Sequence, residues 1–403
     1  MRVWRHCLVL FLAAILSALL CGCTAKNGDT AHIQPSFDVT QIQEDSSWGW
    51  YPDVSGDRVV WYGIGVTGGG DDFEIFTWTA AAGVVQITDN ELEDMAPRVC
   101  GDRVVWQRNM TPEAGLGLDV DNPYDFEIFT WTPDEGIVRI TENDSWDRGP
   151  KVSGDRVVWS GRGGSDGGSD WEIFTWTPDA GIIQLTRNDS DDGGAWVSGK
   201  RIVWDGGDDS AEGEGREVFT WTPSEGVIQL THNGRCDSAP SVSGDRVVWS
   251  AGVDPAGDED LERILMWTPT SGVVEIATSA HELGITKVSG DLVVWMGRGG
   301  SDGGRDWEVF TWMPGDGVRQ LTENDIDDIA PHASDELMVW TAFEGKWAVG
   351  EGMVVAWPIG LDSKGEMLGM TEGTLSEPPA VSGGRLVWVN GDHGISTGVL
   401  IEP

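Results

Sequence analysis

Two stretches of this chain carry the residue types of a cation site. Residues 161–176 read GRGGSDGGSDWEIFTW, and residues 297–312 read GRGGSDGGRDWEVFTW. Asp166, Asp170 and Glu172 in the first, and Asp302, Asp306 and Glu308 in the second, set three carboxylates close together in glycine-rich chain. Calcium takes its oxygens from closely spaced carboxylates and loop carbonyls. It is therefore the one cofactor these loops suggest, and no other is expected. Neither loop follows the EF-hand spacing or the glycine-aspartate nonapeptide. Aspartate and glycine also serve as plain turn residues, with aspartate capping backbone N–H groups.

Other chemistry is less well supported. G-x-S-x-G occurs at Gly163–Gly167, Gly299–Gly303 and Gly394–Gly398. A nucleophile elbow needs a strand, a sharp turn and a helix, whereas these serines lie in loops between strands. The histidines (His6, His32, His232, His281, His332 and His393) show no metal-ligand spacing. Carboxylates are so abundant that spacing alone selects no acid–base pair. The chain reads more as a binding protein than as an enzyme.

The elements that must position these loops are spelled by a repeat. VSGDRVVW stands unchanged at 54–61, 152–159 and 242–249, with variants at 99–106, 197–204, 288–295, 333–340 and 381–388. Its terminal tryptophans, Trp61, Trp106, Trp159, Trp204, Trp249, Trp295, Trp340 and Trp388, recur at intervals of 45, 53, 45, 45, 46, 45 and 48 residues. A period of this size marks a propeller or a solenoid. Within 150–186, PKVS, RVVWSG, WEIFTWTP and IIQLT are strand-like, separated by Gly-Asp, GGSDGGSD and Pro-Asp-Ala-Gly turns. RVVW and EIFTW are apolar or aromatic on both faces, as a sheet sandwiched between two neighbours requires. The recurrent tryptophans are thus expected to pack between blades.

The expected fold is all-β: a β-propeller of eight four-stranded blades, with seven as the alternative because unit 333–371 is degenerate. The last unit lacks a fourth strand, while residues 38–54 align without a gap on 181–197. An N-terminal strand should therefore complete the last blade and leave no free edge. QLTRNDSDD and QLTENDIDDIAP, each followed by a short strand, a turn, VVW and EIFTW, resemble TolB-type, WD40-like propeller repeats. The resemblance runs over about residues 38–403 and implies the propeller fold. The chain departs from TolB in its S-G-D turn and its eight units, so the fold carries over and TolB's partner does not.

The termini and the charge suggest a location. MRVWRH followed by CLVLFLAAILSALL reads as a signal segment too short to span a bilayer easily. Leu20-Cys21-Gly22-Cys23 resembles a bacterial lipobox, which implies cleavage after residue 22 and lipid on Cys23. The expected layout is a signal peptide over 1–22, a tether over 23–37 and one propeller domain over 38–403. The expected location is the cell envelope, outside the cytoplasm, with the protein held to the membrane by that lipid. Cys100 and Cys236 form no disulfide framework. There are 26 Lys+Arg against 67 Asp+Glu, a net charge of −41. Such a surface repels nucleic acid and favours cations, basic partners or a salty medium.

The variable acidic loops (63–72, 141–150, 205–216 and 322–331) all open on one face. That face is expected to bind an envelope protein or glycan. Two other readings stay open: an envelope polysaccharide lyase or hydrolase with its site at the ring mouth, and a purely structural surface protein.

Overall fold

The computed structural model describes residues 36–43, 48–65, 72–111, 125–163, 170–207, 215–233, 236–252, 261–299, 304–343, 351–359, 366–372, 378–390 and 393–401. The proposed lipid-bearing Cys23 lies outside them, as do Asp166 and Asp302. The described residues form eight four-stranded antiparallel sheets arranged as a propeller ring. Blade 1 is Gly49–Ser55, Arg58–Ile64, Phe73–Thr79 and Gly83–Gln86, from the innermost strand outward. Blades 2 to 7 repeat this order, with innermost strands Asp94–Cys100, Asp147–Ser153, Asp192–Ser198, Asp237–Ser243, Leu283–Ser289 and Asp327–Ala333. Eight blades, not seven, are present, and the degenerate unit forms a complete blade 7.

Blade 8 takes Ala380–Ser382, Arg385–Val389 and Ile395–Ile401 from the C-terminal end and Ser36–Gln41 from the N-terminal end. The N-terminal strand is the outermost. It pairs antiparallel with the third strand from Ser36↔Ile401 to Gln41↔Ser396. The expected closure is therefore the observed one.

The second strands supply the core. Trp61, Trp106, Trp204 and Trp249 are 0% exposed. Each packs between sheets: Trp204 of blade 4 meets Val158 and Ile173 of blade 3. Trp204 also stacks on Phe219 of its own blade at 5.7 Å. The recurrent tryptophans are inter-blade packing.

The conserved spelling of the turn has a ring-wide cause. Its serine accepts a hydrogen bond from the turn glycine N–H of the next blade: Gly101 to Ser55, Gly199 to Ser153 and Gly244 to Ser198, each at 2.9 Å. Gly56 to Ser382, at 3.1 Å, carries the same link from blade 8 to blade 1. Cys100 stands in for serine and receives Gly154 N–H at 3.2 Å. The turn's arginine then reaches the next blade's aspartate: Arg58 to Asp102 at 2.6 Å, Arg201 to Asp245 at 3.0 Å and Arg385 to Asp57 at 3.2 Å. The glycine itself is required by its backbone, with φ +57° at Gly154, a region costly for residues with a Cβ.

Candidate functional site

The N-x-x-x-D connections that lead into blades 2, 3, 4, 5 and 7 make an inter-blade latch. Asp147 Oδ1 accepts from Trp159 Nε1 at 2.8 Å, and its Oδ2 accepts from Asn143 Nδ2 at 2.7 Å. Asn143 N–H donates to Glu127 Oε1 of the preceding blade at 2.7 Å. The same set recurs with Glu172, Asn188, Asp192 and Trp204, and with Glu308, Asn324, Asp328 and Trp340. Glu172 and Glu308, two of the calcium candidates, are thus 1% and 2% exposed and hold latch N–H groups. Asp170 and Asp306 stand two residues before them, at the start of the third strands.

Burial pushes the Glu172 and Glu308 carboxyls up to about 7, and the nearby charges of Asp192 with Asp170, and of Asp328 with Asp306, add to this. Among the described residues, no group of three His, Cys, Asp or Glu side chains is arranged to hold a metal ion. Blade 1 breaks the latch: Gly49 takes the aspartate's place, and Trp61 Nε1 has no hydrogen-bond partner.

The latch also divides the acidity of the loops. Glu142, Asp144, Glu323 and Asp325 are exposed, whereas Asp147, Asp192 and Asp328 are buried. Part of the acid that the sequence suggests for a binding face is therefore inside, holding blades together.

Cations gather on the innermost strands. Every innermost strand has one residue paired with the second valine or its equivalent of the VVW strand. Around the ring these are Asp53, Arg98, Lys151, Trp196, Ser241, Lys287, His332 and Ala380. They are symmetry-equivalent, and three of the eight are strong bases in a chain of net charge −41. In six blades a β-bulge directly precedes this position, and bulges re-aim side chains. The bulges of blades 1, 2, 5 and 7 hold non-glycine residues at positive φ: Tyr51 (47°), Ala96 (54°), Ala239 (53°) and Ala330 (50°).

Tyr51, Asp53, Arg98, Lys151, Trp196 and His332 line one cavity of about 270 Å³ in the ring's axis. A neighbouring cavity of about 570 Å³ shares Lys151 and Trp196 and adds Gln107, Arg148, Trp171 and Arg216. Lys151 Nζ and Lys287 Nζ lie 5.1 and 4.1 Å from the Trp196 ring centroid. Arg148 lies 3.6 Å and Arg162 4.7 Å over Trp171. Asp53, the one acid of the ring, accepts Val99 N–H at 3.0 Å.

Desolvation, and then the neighbouring Arg98, pulls the Lys151 ammonium down to about 7 and that of Lys287 to about 8. The same burial, with Lys287 and Arg98 nearby, holds His332 down at about 3. The arrangement can do one thing well: neutralise an anion. The signal was present in the sequence, because each ring residue immediately precedes the V-S-G-D motif or its variant. It varies where the motif does not, and so it drops out of a search for repeats.

No protein-family model matches the chain, and no curated protein matches it significantly. Its fold is similar to solved propellers at low identity. The Dos1 propeller matches at TM-score 0.54 and 10% identity over 91% of this chain and 95% of that one. The β-propeller domain of the Trilobed protease from Pyrococcus furiosus, described as an open velcro topology, matches at TM-score 0.52 and 10% identity over 80% and 97%. The acylaminoacyl peptidase of Pyrococcus horikoshii matches at TM-score 0.51 and 12% identity over 77% of this chain and 51% of that one, so the likeness spans about half the peptidase's length. Likeness at this identity concerns the fold alone.

Proposed function

We propose that this chain is an extracytoplasmic binding propeller, anchored by lipid on Cys23, that takes an anionic ligand into its axial channel. The lipobox-like LCGC and the signal segment before it support the anchor. The TolB-like spelling of the latch connections fits a propeller of the cell envelope. One observation carries the ligand reading: Arg98, Lys151 and Lys287 converge at one level of the ring with a single acid among them.

Burying ammonium groups in a confined lumen is unfavourable and the like charge of Arg98 adds repulsion, and the depressed Lys151 and Lys287 register that cost. An anion in the lumen turns the same repulsion into attraction. The surrounding acidic surface turns away polyanions such as nucleic acid, so the channel selects a ligand whose charge is local.

The test is calorimetric titration of the mature chain with succinate and with inorganic phosphate at constant ionic strength. One saturable site is expected in the wild type, and it should vanish in Lys151→Gln/Lys287→Gln. No binding of either anion to the wild type refutes the channel reading. Mass spectrometry of the membrane-bound protein tests the lipid on Cys23.

A further inference from the structure

The channel cavity has an aromatic shelf at its rim. Trp48, Trp50, Tyr51, Tyr62, Phe73 and His393 form one cluster on the loop face of blade 1, where blade 8 joins it. Trp48 stacks on His393 at 4.9 Å and 18°, and Trp50 stacks on Tyr62 at 5.7 Å and 23°. Tyr51 stacks on Tyr62 at 5.8 Å and 15°. Gly49 N–H donates to the His393 carbonyl at 2.8 Å, tying the shelf to the blade 8 connection. These are not the recurrent core tryptophans. Trp48 is 49% and Tyr51 39% exposed, and no other Trp, Tyr or Phe among the described residues is as open.

Tyr51 is the joint between shelf and channel. It lines the channel cavity beside Arg98, Lys151 and Trp196. Its backbone has φ +47° in the inner-strand bulge. The equivalent residue is alanine or glycine in the next four blades: Ala96, Gly149, Gly194 and Ala239. A bulky residue in this conformation is an outlier that persists where the surroundings enforce it. No packing need explains it, because the ring closes around alanine or glycine at this position in blades 2 to 5 and 7 and this side chain is exposed.

We infer that the anionic ligand of the channel is a glycan ended by one acidic sugar, with its carboxylate at Arg98 and Lys151 and its neutral sugars on Trp48 and Tyr51. This rests on the channel reading and names its ligand class. The electron-rich face of an aromatic ring attracts the positive C–H edge of a partner, and the C–H face of a pyranose offers that edge. A ligand with aromatic-stacking body and carboxylate end matches a shelf next to a cation cluster. The sparse charge also matches a protein whose remaining surface is strongly acidic. A cavity of about 270 Å³ takes a monosaccharide-sized group and not a folded partner.

The experiment titrates the mature chain with aldotetraouronic acid (one glucuronate on three xyloses), with xylotriose, with glucuronate and with an acidic pentapeptide. Aldotetraouronic acid should bind at least about tenfold tighter than any other arm, a difference of about 1.4 kcal/mol. Tryptophan fluorescence should shift on binding. Trp48→Ala, outside the cavity lining, should remove about that tenfold advantage and leave glucuronate binding unchanged, and Tyr51→Ala should remove the advantage as well. Alanine already occupies the Tyr51 position in blades 2, 5 and 7, so Tyr51→Ala keeps the fold.

If glucuronate binds as tightly as aldotetraouronic acid and the shelf variants change nothing, the glycan inference fails while the channel reading stands. If the pentapeptide binds as tightly as the glycan, the shelf is not a sugar platform. If no anion binds at all, the channel reading itself fails.

Discussion

This protein should gain stability between about pH 7 and pH 5. The cause is the buried latch carboxylates. Burial pushes Asp147, Glu172, Glu308 and Glu74, which accepts Asn90 N–H in the latch from blade 1 to blade 2, up to about 7, and Asp192 up to about 6. In the unfolded chain such groups titrate near 4. Between these limits the native state holds protons that the unfolded state has released. Stability therefore falls as pH rises through the window and grows as pH falls. His332 opposes this, because its native value of about 3 lies below its unfolded one and acid costs it stability below about pH 6.5. Lys151 and Lys287, with native values of about 7 and about 8, also oppose it near pH 7 and above, and add little slope below about pH 6.

The carboxylates fall into four latch clusters that titrate as coupled groups. One net native proton is the floor once His332 is set against them. That floor is a slope of about 1.4 kcal/mol per pH unit, or about 3 kcal/mol across the window. For a ring of this size the melting temperature should rise by roughly 4 °C. The assay is thermal unfolding followed by circular dichroism at fixed salt from about pH 7.5 to pH 5. Glu172→Gln should flatten the slope, because it removes one of the raised carboxyls. A melting temperature that falls steadily over this range would refute the argument that the latch acids are held protonated.

Three further outcomes follow from the ring. A chain beginning at Asp45 lacks the strand Ser36–Gln41, exposes the edge of blade 8 and should melt well below the full ring; an unchanged melting temperature on calorimetry sinks the closure. Trp204→Phe should cost about 1–3 kcal/mol more than Trp61→Phe in denaturant unfolding, because it leaves buried Asp192 without its indole donor whereas Trp61 Nε1 has no partner to lose. Arg201→Ala breaks ion pairs to Glu225 and Asp245 and should cost about 2–4 kcal/mol. Arg156→Ala should cost less on the same measurement, since the next blade's turn carries Lys200 in place of aspartate.

Period, strand pattern and terminal complementarity were enough to read the propeller, its eight blades and its closure. Each rests on local rules: alternation and β-branching make the strands, Gly-Asp makes the turns, and two-sided apolar strands demand a neighbour on each face. The inter-blade role of the tryptophans was legible for the same reason. The acids of the repeat were not. Glu172 and Glu308 have the residue type of a ligand and also of a latch, and spelling cannot tell a carboxylate that faces solvent from one that caps the N–H of Asn188 or Asn324. That choice depends on which blade edge stands opposite.

The channel was hidden for a geometric reason. Arg98, Lys151 and Lys287 are separated by 53 and 136 residues, and each alone is an unremarkable base before a turn. Only the closure of eight sheets about one axis brings equivalent positions to a common level and makes three scattered charges one site. Tyr51 is similar, since its strained bulge and its contact with Tyr62 arise from register and not from sequence neighbours. The sequence by itself determined the repeating unit and how many times it is laid down, because those follow from short-range periodicity. The tertiary structure decided which side chains of each unit face the axis, the neighbour or the solvent, because ring symmetry superposes what the chain keeps apart.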